Sequence, residues 1–450
     1  MKKMKNFIIL SLFLFAATCN LHAQQNLEQF NCFAVIAGKA ATADGSVMLA
    51  HNEDDSGEQM LNIYVVPAKK NTDADGKSVR NARYLWCEFP GMEVADAFLN
   101  EYGVGIVSNS CPSREDREDF TDGGVLYEIR TTAAKHARTS REAVELLGKL
   151  VEERGYRGSG RTYSIADPDE AWIFSAVQGR HWVAQRVPDD CVMALPNNYI
   201  IDRVDLSDTA NFAGSDDLIA YAIERGWYNP HRDGEFSFKR AYCKPSTYIS
   251  ERNVFRHQSA LQYLTGKEYN SDPDSFELFV RPNRKITIED MIEILASHGE
   301  NLPQPERSKV YSSDKQKHYG CICVDRTVVS TIFQLNRQTP ADMGHIMWVA
   351  AGRPCIEPFV PWYTEMERAY EGWGRFSTAE EAEMKHFSDA KEMRANYPKA
   401  KVWEIVYKWD WLNEDFKGRI GRLQKERDAE QKRLFKAHNK RVEKLKASEK

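Results

Sequence analysis

The sequence predicts an α+β fold in which antiparallel sheet packs against segregated helices. Two observations carry this. The elements come in blocks: strands, then helices, then strands, one helix and strands again. Within the second block of strands, turn signals recur at short, regular spacing, which describes an antiparallel meander.

Residues 33–36 read as a strand and residues 47–50 as a second. Asp44-Gly45 supplies the turn between them, so the pair makes a hairpin that starts at Cys32. Residues 104–108 form a further short apolar run beside Gly103. From Gly124 to Gly155 the period changes. Ile129, Ala133, Ala143, Leu147, Leu150 and Val151 recur at helical spacing, predicting two helices with Ser140 as a cap partway along. Residues 162–166, 171–177, 181–187 and 191–195 are the four strands of the meander. Asp-Pro-Asp-Glu, Gln-Gly-Arg and Pro-Asp-Asp divide them. Residues 285–297 read as a helix capped by Thr287, with Asp290 three positions later. Residues 321–336 return to strand composition.

The chain has 450 residues, 42% hydrophobic and 28% charged, which is enough apolar content for a sizeable core. Its net charge of -5 leaves no basic footprint for nucleic acid, and no finger, basic-zipper or RNP motif is present. Residues 1–23 read as a targeting segment. Lys2, Lys3 and Lys5 precede an apolar stretch at 7–17 that is too short to span a bilayer, and Leu21-His22-Ala23 is an acceptable cleavage site. The expected product is exported, periplasmic or secreted, with no membrane-spanning segment after processing. Cys19 raises a lipoprotein reading, but Thr18 before it fits a lipobox poorly.

The other eight cysteines are scattered. With Cys32 set aside, seven remain, an odd number that does not suit a closed disulfide framework. Cys321-Ile-Cys323 has the wrong spacing for a CxxC knuckle, so neither a structural metal nor a cofactor is expected. From 416 to 450 there are 13 Lys/Arg against five Asp/Glu, a net of +8 that leaves -13 for the rest. Leu423, Leu434, Val442 and Leu445 are too sparse for a heptad seam. This end reads as a basic, solvated helix or frayed tail rather than a membrane-surface or partner-binding helix.

Cys32 carries the chemistry. If the Asn31–Cys32 bond is cut, one residue holds both a thiol and a free α-amine. An α-amine titrates at about 7.7–8.0, so it can take the thiol proton without a separate histidine. The stretch Cys32-Phe-Ala-Val-Ile-Ala-Gly38-Lys39-Ala-Ala-Thr42-Ala-Asp44-Gly45-Ser46, continuing to His51-Asn52-Glu53-Asp54, resembles the opening of the dipeptidase A family of cysteine N-terminal-nucleophile peptidases. Further matches follow in the expected order. They are Asn100-Glu101-x-Gly103-Val104, the run from Trp172 through Asn197-Asn198, the segment Tyr228 to Phe238, and Pro358-Phe-Val-Pro361-Trp-Tyr363.

The resemblance implies a four-layer αββα sandwich and amide hydrolysis through a thioester on Cys32. The chain is expected to divide into a signal peptide (1–23), a short propeptide (24–31), a catalytic domain (32–415) and the basic tail (416–450). Asp54 would hold the Cys32 α-amine, unless it is a surface carboxylate of the acidic run at 53–55. Asn197 would donate to the tetrahedral oxyanion, with Asn198 as its alternative and Asn109 as a second donor. Arg252, or else Arg256, would steady the nucleophile.

His51 departs from the pattern, because the family carries Arg there. An imidazole titrates near 6.5, so its contribution to the thiolate or to substrate binding is expected to fade as pH rises. The implied substrate is a short peptide. The alternatives are another linear amide, such as a conjugated bile acid or an acylated amino compound, and a non-catalytic exported binding protein. The only further partner implied is another copy of the same chain.

Overall fold

The computed structural model describes residues 32–54, 61–72, 76–89, 95–302, 321–375, 395 and 398–448. The expected leader and propeptide lie outside the described residues. In chain order the strands are β1 (Phe33–Ala37), β2 (Val47–Asp54), β3 (Asn62–Val66), β4 (Lys69–Thr72), β5 (Ser78–Asn81), β6 (Tyr84–Glu88), β7 (Ala95–Asn100), β8 (Gly105–Ser110), β9 (Tyr156–Ala166), β10 (Ala171–Gly179), β11 (Trp182–Val187), β12 (Val192–Leu195), β13 (Phe212–Gly214), β14 (Thr327–Leu335), β15 (Ile346–Ala350) and β16 (Val360–Tyr363). The helices are α1 (Glu128–His136), α2 (Ser140–Arg154), α3 (Leu218–Glu224), α4 (Phe238–Tyr242), α5 (Pro245–Tyr248), α6 (Glu251–Thr265), α7 (Ile288–Leu295), α8 (Val402–Glu414) and α9 (Phe416–Ser448).

Two antiparallel sheets hold nearly all the strands. One has the order β12-β1-β2-β14-β15-β16, the other β13-β11-β10-β9-β8-β7-β6-β3. β1 shows why the first is central. All five of its residues are buried, because both of its faces are covered. Ala34 and Ile36 point into the core between the sheets, with Leu85, Leu99, Val107 and Ile173. Phe33, Val35 and Ala37 point the other way, under Leu261 of α6 and Met291 and Leu295 of α7. On the far side of the second sheet, Ile129 and Ala133 of α1 and Val144, Leu147 and Val151 of α2 cover Phe98, Ile106 and Phe174. The layers are therefore helix, sheet, sheet, helix.

The expected hairpin forms in register, with Phe33 opposite Asn52 and Ala37 opposite Met48. The Thr287–Asp290 capping box is present at the head of α7. At α2 the cap is Thr139, whose side chain accepts from the Glu142 amide, and Ser140 is the first helical residue.

The four-stranded meander needs correcting. β9, β10 and β11 are consecutive neighbours, but β12 leaves that sheet and pairs with β1. The Pro-Asp-Asp turn that precedes it serves a change of sheet. Gly38 makes the crossing fit, since a Cβ there would stand 2.5 Å from both the Pro188 and the Asp189 carbonyl oxygens.

The basic end also differs from the expectation of a solvated tail. α9 is a 33-residue helix docked on the sandwich. Phe416, Ile420 and Leu423 join Trp403, Val406 and Trp409 of α8 at the edge of the inter-sheet core. Phe435, Val442 and Leu445 pack under the outer face of the first sheet.

Candidate active site

β1 begins one residue after Cys32, and β2 ends in Glu53-Asp54 beside it, because the hairpin register places Phe33 opposite Asn52. Alternation along β2 then sorts the side chains. Leu49 belongs to the inter-sheet core and Ala50 to the helix-covered face. His51 and Glu53 follow Leu49, while Asn52 and Asp54 follow Ala50.

On the inter-sheet side the Cys32 thiol donates to Glu53 Oε1 at 3.3 Å, and His51 Nε2 lies 3.8 Å from Glu53 Oε2. The three donors are within 4.8 Å of one another, the spacing of a metal-binding set. Arg161 on β9 and Arg130 on α1 face this group across the gap. Both donate to Ser108 Oγ, Arg161 Nη1 at 2.8 Å.

Burial pushes the Cys32 thiol well above its usual range. The Glu53 and Asp54 charges add to this, and the Asp54 backbone amide and Arg161 oppose it. The thiol therefore rests protonated and needs a base to act. His51 is not that base. Burial lowers its pKa to about 3, the Arg130 and Arg161 charges assist, and the Ser108 backbone and Asn109 side chain pull the other way.

On the helix side, Arg256 of α6 is fully buried. Its Nη1 donates to the Cys32 carbonyl at 3.0 Å, and its Nη2 donates to Asn197 Oδ1 at 2.9 Å and Asn253 Oδ1 at 2.7 Å. Arg252, one helical turn earlier, is exposed. Its backbone carbonyl accepts from Arg256 Nε at 3.2 Å, and its charge opposes that of Arg256. Desolvation lowers the Arg256 pKa to about 10, and Asp54 and Cys32 counter it, so the guanidinium stays charged at neutral pH.

Asp54 is fully buried. Its Oδ1 accepts from Thr327 Oγ1 at 2.7 Å, and its Oδ2 has no hydrogen-bond partner among the described residues. Burial raises its pKa well above the ordinary value, against the Thr327 hydrogen bond and the Arg256 charge.

Asn197 reaches the site because β12 changes sheets. Its Nδ2 donates to the Ser110 carbonyl at 2.9 Å. Asn109 pins the same crossing, donating to the Leu195 carbonyl at 3.0 Å and to the Pro196 carbonyl at 3.4 Å. Asn198 bonds locally, to the Tyr199 carbonyl at 2.9 Å. The structure thus gathers Cys32, His51, Asp54, Asn197 and Arg256. It places Arg252 at the surface and turns the Asn198 hydrogen bond to its own neighbour. Sequence reasoning missed Glu53, Arg130, Arg161 and Thr327. Glu53 was in view as part of an acidic run, and strand alternation from Leu49 would have put it on the same face as His51.

The sandwich sets a buried cysteine at the head of β1, beside Glu53 and Arg256. The chain belongs to peptidase family C69, whose family model matches residues 121–405. It is therefore a hydrolase of peptide or related amide bonds. Among its relatives are "Probable dipeptidase B" of Streptococcus pyogenes serotype M1, 26% identical over 378 residues (78% of this chain, 75% of that one), and "Dipeptidase A" of Lactobacillus helveticus, 26% identical over 378 residues (77% and 78%). Among solved structures, penicillin V acylase from Agrobacterium tumefaciens is 13% identical with a TM-score of 0.36, covering 73% of this chain and 85% of that one.

Proposed function

We propose that this chain is an exported dipeptidase whose nucleophile is Cys32, made N-terminal by cleavage of the Asn31–Cys32 bond. The observation that supports this best is Asp54 Oδ2, a fully buried carboxylate oxygen beside Cys32 with no hydrogen-bond partner among the described residues. Buried polar atoms are rarely left unpaired, and a Cys32 α-ammonium would supply the donor.

The steps follow from the groups in place. The α-amine takes the thiol proton as Sγ attacks the peptide carbonyl carbon. Charge develops on the carbonyl oxygen, where an amide donor such as Asn197 Nδ2 contributes about 3 kcal/mol. Arg256 acts as a positioning residue, holding the Cys32 carbonyl and the Asn197 side chain with one guanidinium. The α-ammonium returns its proton to the leaving amine and the C–N bond breaks, leaving a thioester. Water, deprotonated by the same amine, attacks the thioester; the C–S bond breaks, the acid leaves and the α-ammonium returns the proton to the Cys32 thiolate.

Glu53 favours a dipeptide over an acylated amine or a bile-acid conjugate. In a dipeptide the carbon next to the scissile carbonyl bears a free ammonium. A buried carboxylate 3.3 Å from the nucleophile is placed to receive that charge. The cation that His51 does not supply comes from Arg161 and Arg130.

The test has two arms. The mature protein is sequenced from its N-terminus, with Cys-Phe-Ala-Val expected. Then kcat/KM is compared for free dipeptides, their N-acetyl forms and conjugated bile acids. Active protein beginning only at Gln24 overturns the terminal-amine mechanism, and a preference for acylated substrates overturns the dipeptidase assignment.

A further inference from the structure

Behind the β2 strand lies a second cluster of nucleophilic side chains that the chemistry at Cys32 does not use. His298 follows α7, Cys323 leads into β14, and Cys355 follows β15. Each is completely buried. One ligand atom from each residue lies within 4.8 Å of the other two. The two cysteines are not joined in a disulfide. We propose that His298, Cys323 and Cys355 form a structural site for a thiophilic cation, Zn(II), bound through one imidazole nitrogen and two thiolates.

The donor chemistry selects the ion. Two sulfurs and one imidazole suit zinc and are poor ligands for magnesium or calcium. A tetrahedral zinc holds its donors about 3.3–3.8 Å apart, and the three ligand atoms already lie within 4.8 Å of one another. The imidazole is oriented for the task. Its Nδ1 lies 3.3 Å from Glu300 Oε1, and Nε2 is the nitrogen assigned to the metal. A carboxylate behind the ligating histidine fixes the ring and raises its basicity. Glu300 is itself held, because its Oε2 accepts from the His298 amide at 2.8 Å and from Ser297 Oγ at 3.1 Å. The loop is further closed by the Cys323 amide, which donates to the Ser297 carbonyl at 3.0 Å. A further soft donor stands beside the set. Cys321 donates its thiol proton to the His298 carbonyl at 3.6 Å. Binding exchanges the two thiol protons, and any proton on Nε2, for the ion.

The site joins three segments that flank the active strand. Asn52 of β2 donates to the Leu295 carbonyl at 2.9 Å and to the Ile322 carbonyl at 3.1 Å. A clamp on His298 and Cys323 therefore fixes both carbonyls that hold β2 from behind.

The test uses the full chain carrying Cys32→Ala, so that the thiol, imidazole and carboxylate of the active site cannot bind the ion. Metal-free protein is loaded with Zn(II), desalted and assayed by plasma mass spectrometry. Co(II) loading is followed in parallel by its thiolate-to-metal absorption. About one equivalent is expected in this background. Cys323→Ser and His298→Gln should each abolish tight binding, and Glu300→Gln should weaken it about 10–100-fold. Because those variants could unfold, the cobalt spectrum of the Cys32→Ala protein is a decision by itself. No thiolate band, or zinc retained equally by folded Cys323→Ser, overturns the proposal. So does a mass two hydrogens low in the purified protein with Cys323 and Cys355 linked, which would make the pair a disulfide.

Discussion

His51 sits where the family carries an arginine, and its burial changes what that substitution means. A surface imidazole would titrate in the working range. This one is lowered to about 3, so it is neutral from pH 5 to 9. A group with a depressed pKa contributes stability that is complete above about 6.5 and is lost only as pH falls toward 3. The expected outcome is that His51→Gln leaves the shape of the kcat/KM profile between pH 5 and 9 unchanged. On the proposed mechanism the acid limb belongs to the Cys32 α-amine, which must be unprotonated to act. His51→Arg adds a third cation near Arg130 and Arg161 and should lower Tm without moving that limb. A limb that shifts in the glutamine variant contradicts this.

At the same scale, Cys32→Ala should abolish turnover, and Arg256→Met should cost about 100-fold or more in kcat/KM. Arg252→Ala, at the surface, should stay within about twofold. Equal losses for the two arginines would count against Arg256 as the positioning group. That Cys32 and Asp54 stand side by side was legible because their residue types and spacing are local to one hairpin. The choice of Arg256 over Arg252 was not. Both lie on one short stretch, and only the way α6 packs on β1 separates a buried guanidinium from an exposed one.

Among the elements, the same contrast separates what the sequence showed from what it hid. The β1–β2 hairpin and the capping box of α7 rest on contacts a few residues apart, and they read directly from the chain. The departure of β12 did not, because a Pro-Asp-Asp turn looks the same whether the next strand stays in its sheet or leaves it. α9 was misjudged for a different reason. Its buried stripe runs Phe416, Ile420, Leu423, Arg427, Gln431, His438, and half of those positions are polar, so a count of leucines finds no seam. Arg427 donates to the Pro354 carbonyl at 3.3 Å, and Gln431 accepts from the Phe359 amide at 2.7 Å.

His438 meets the Tyr363 hydroxyl at 3.0 Å, and burial with the nearby Arg441 charge lowers its pKa to about 4. The docked helix therefore excludes a proton that the free helix would accept. Docking is complete above about 6.5 and weakens as pH falls toward 4. Hydrogen exchange across 431–448 should rise over that interval before the sheets exchange, and His438→Gln should flatten the response. Exchange that rises equally in both proteins would contradict the assignment to His438.

For the whole molecule, four layers leave little of the chain dispensable. α9 looked like an appendage by charge, yet it closes the edge of the inter-sheet core. Phe416, Ile420 and Leu423 are buried there at about 1.5–3 kcal/mol each. That total is a large share of the roughly 5–15 kcal/mol that holds a folded protein together. A chain ending at Asp415 should be insoluble or unfold well below the full-length protein, by calorimetry. Full-length stability in that truncation would return α9 to the status of a tail. The architecture class was readable from blocks of elements. The closure of its edges was not, since it joins residues hundreds of positions apart.

The crossing of β12 has a consequence in time. Cys32 and Asp54 come from one hairpin and Asn197, Arg256 and Thr327 from three further stretches, and the site they build exists only after the chain has folded through β14. Contacts of such long sequence separation form late. A chain that is still folding carries every reactive group and no working arrangement of them. If removal of residues 1–31 depends on the same arrangement, cutting becomes a proofreading step. Only molecules that have finished folding are armed, and a misfolded copy keeps its nucleophile capped by the peptide in front of it.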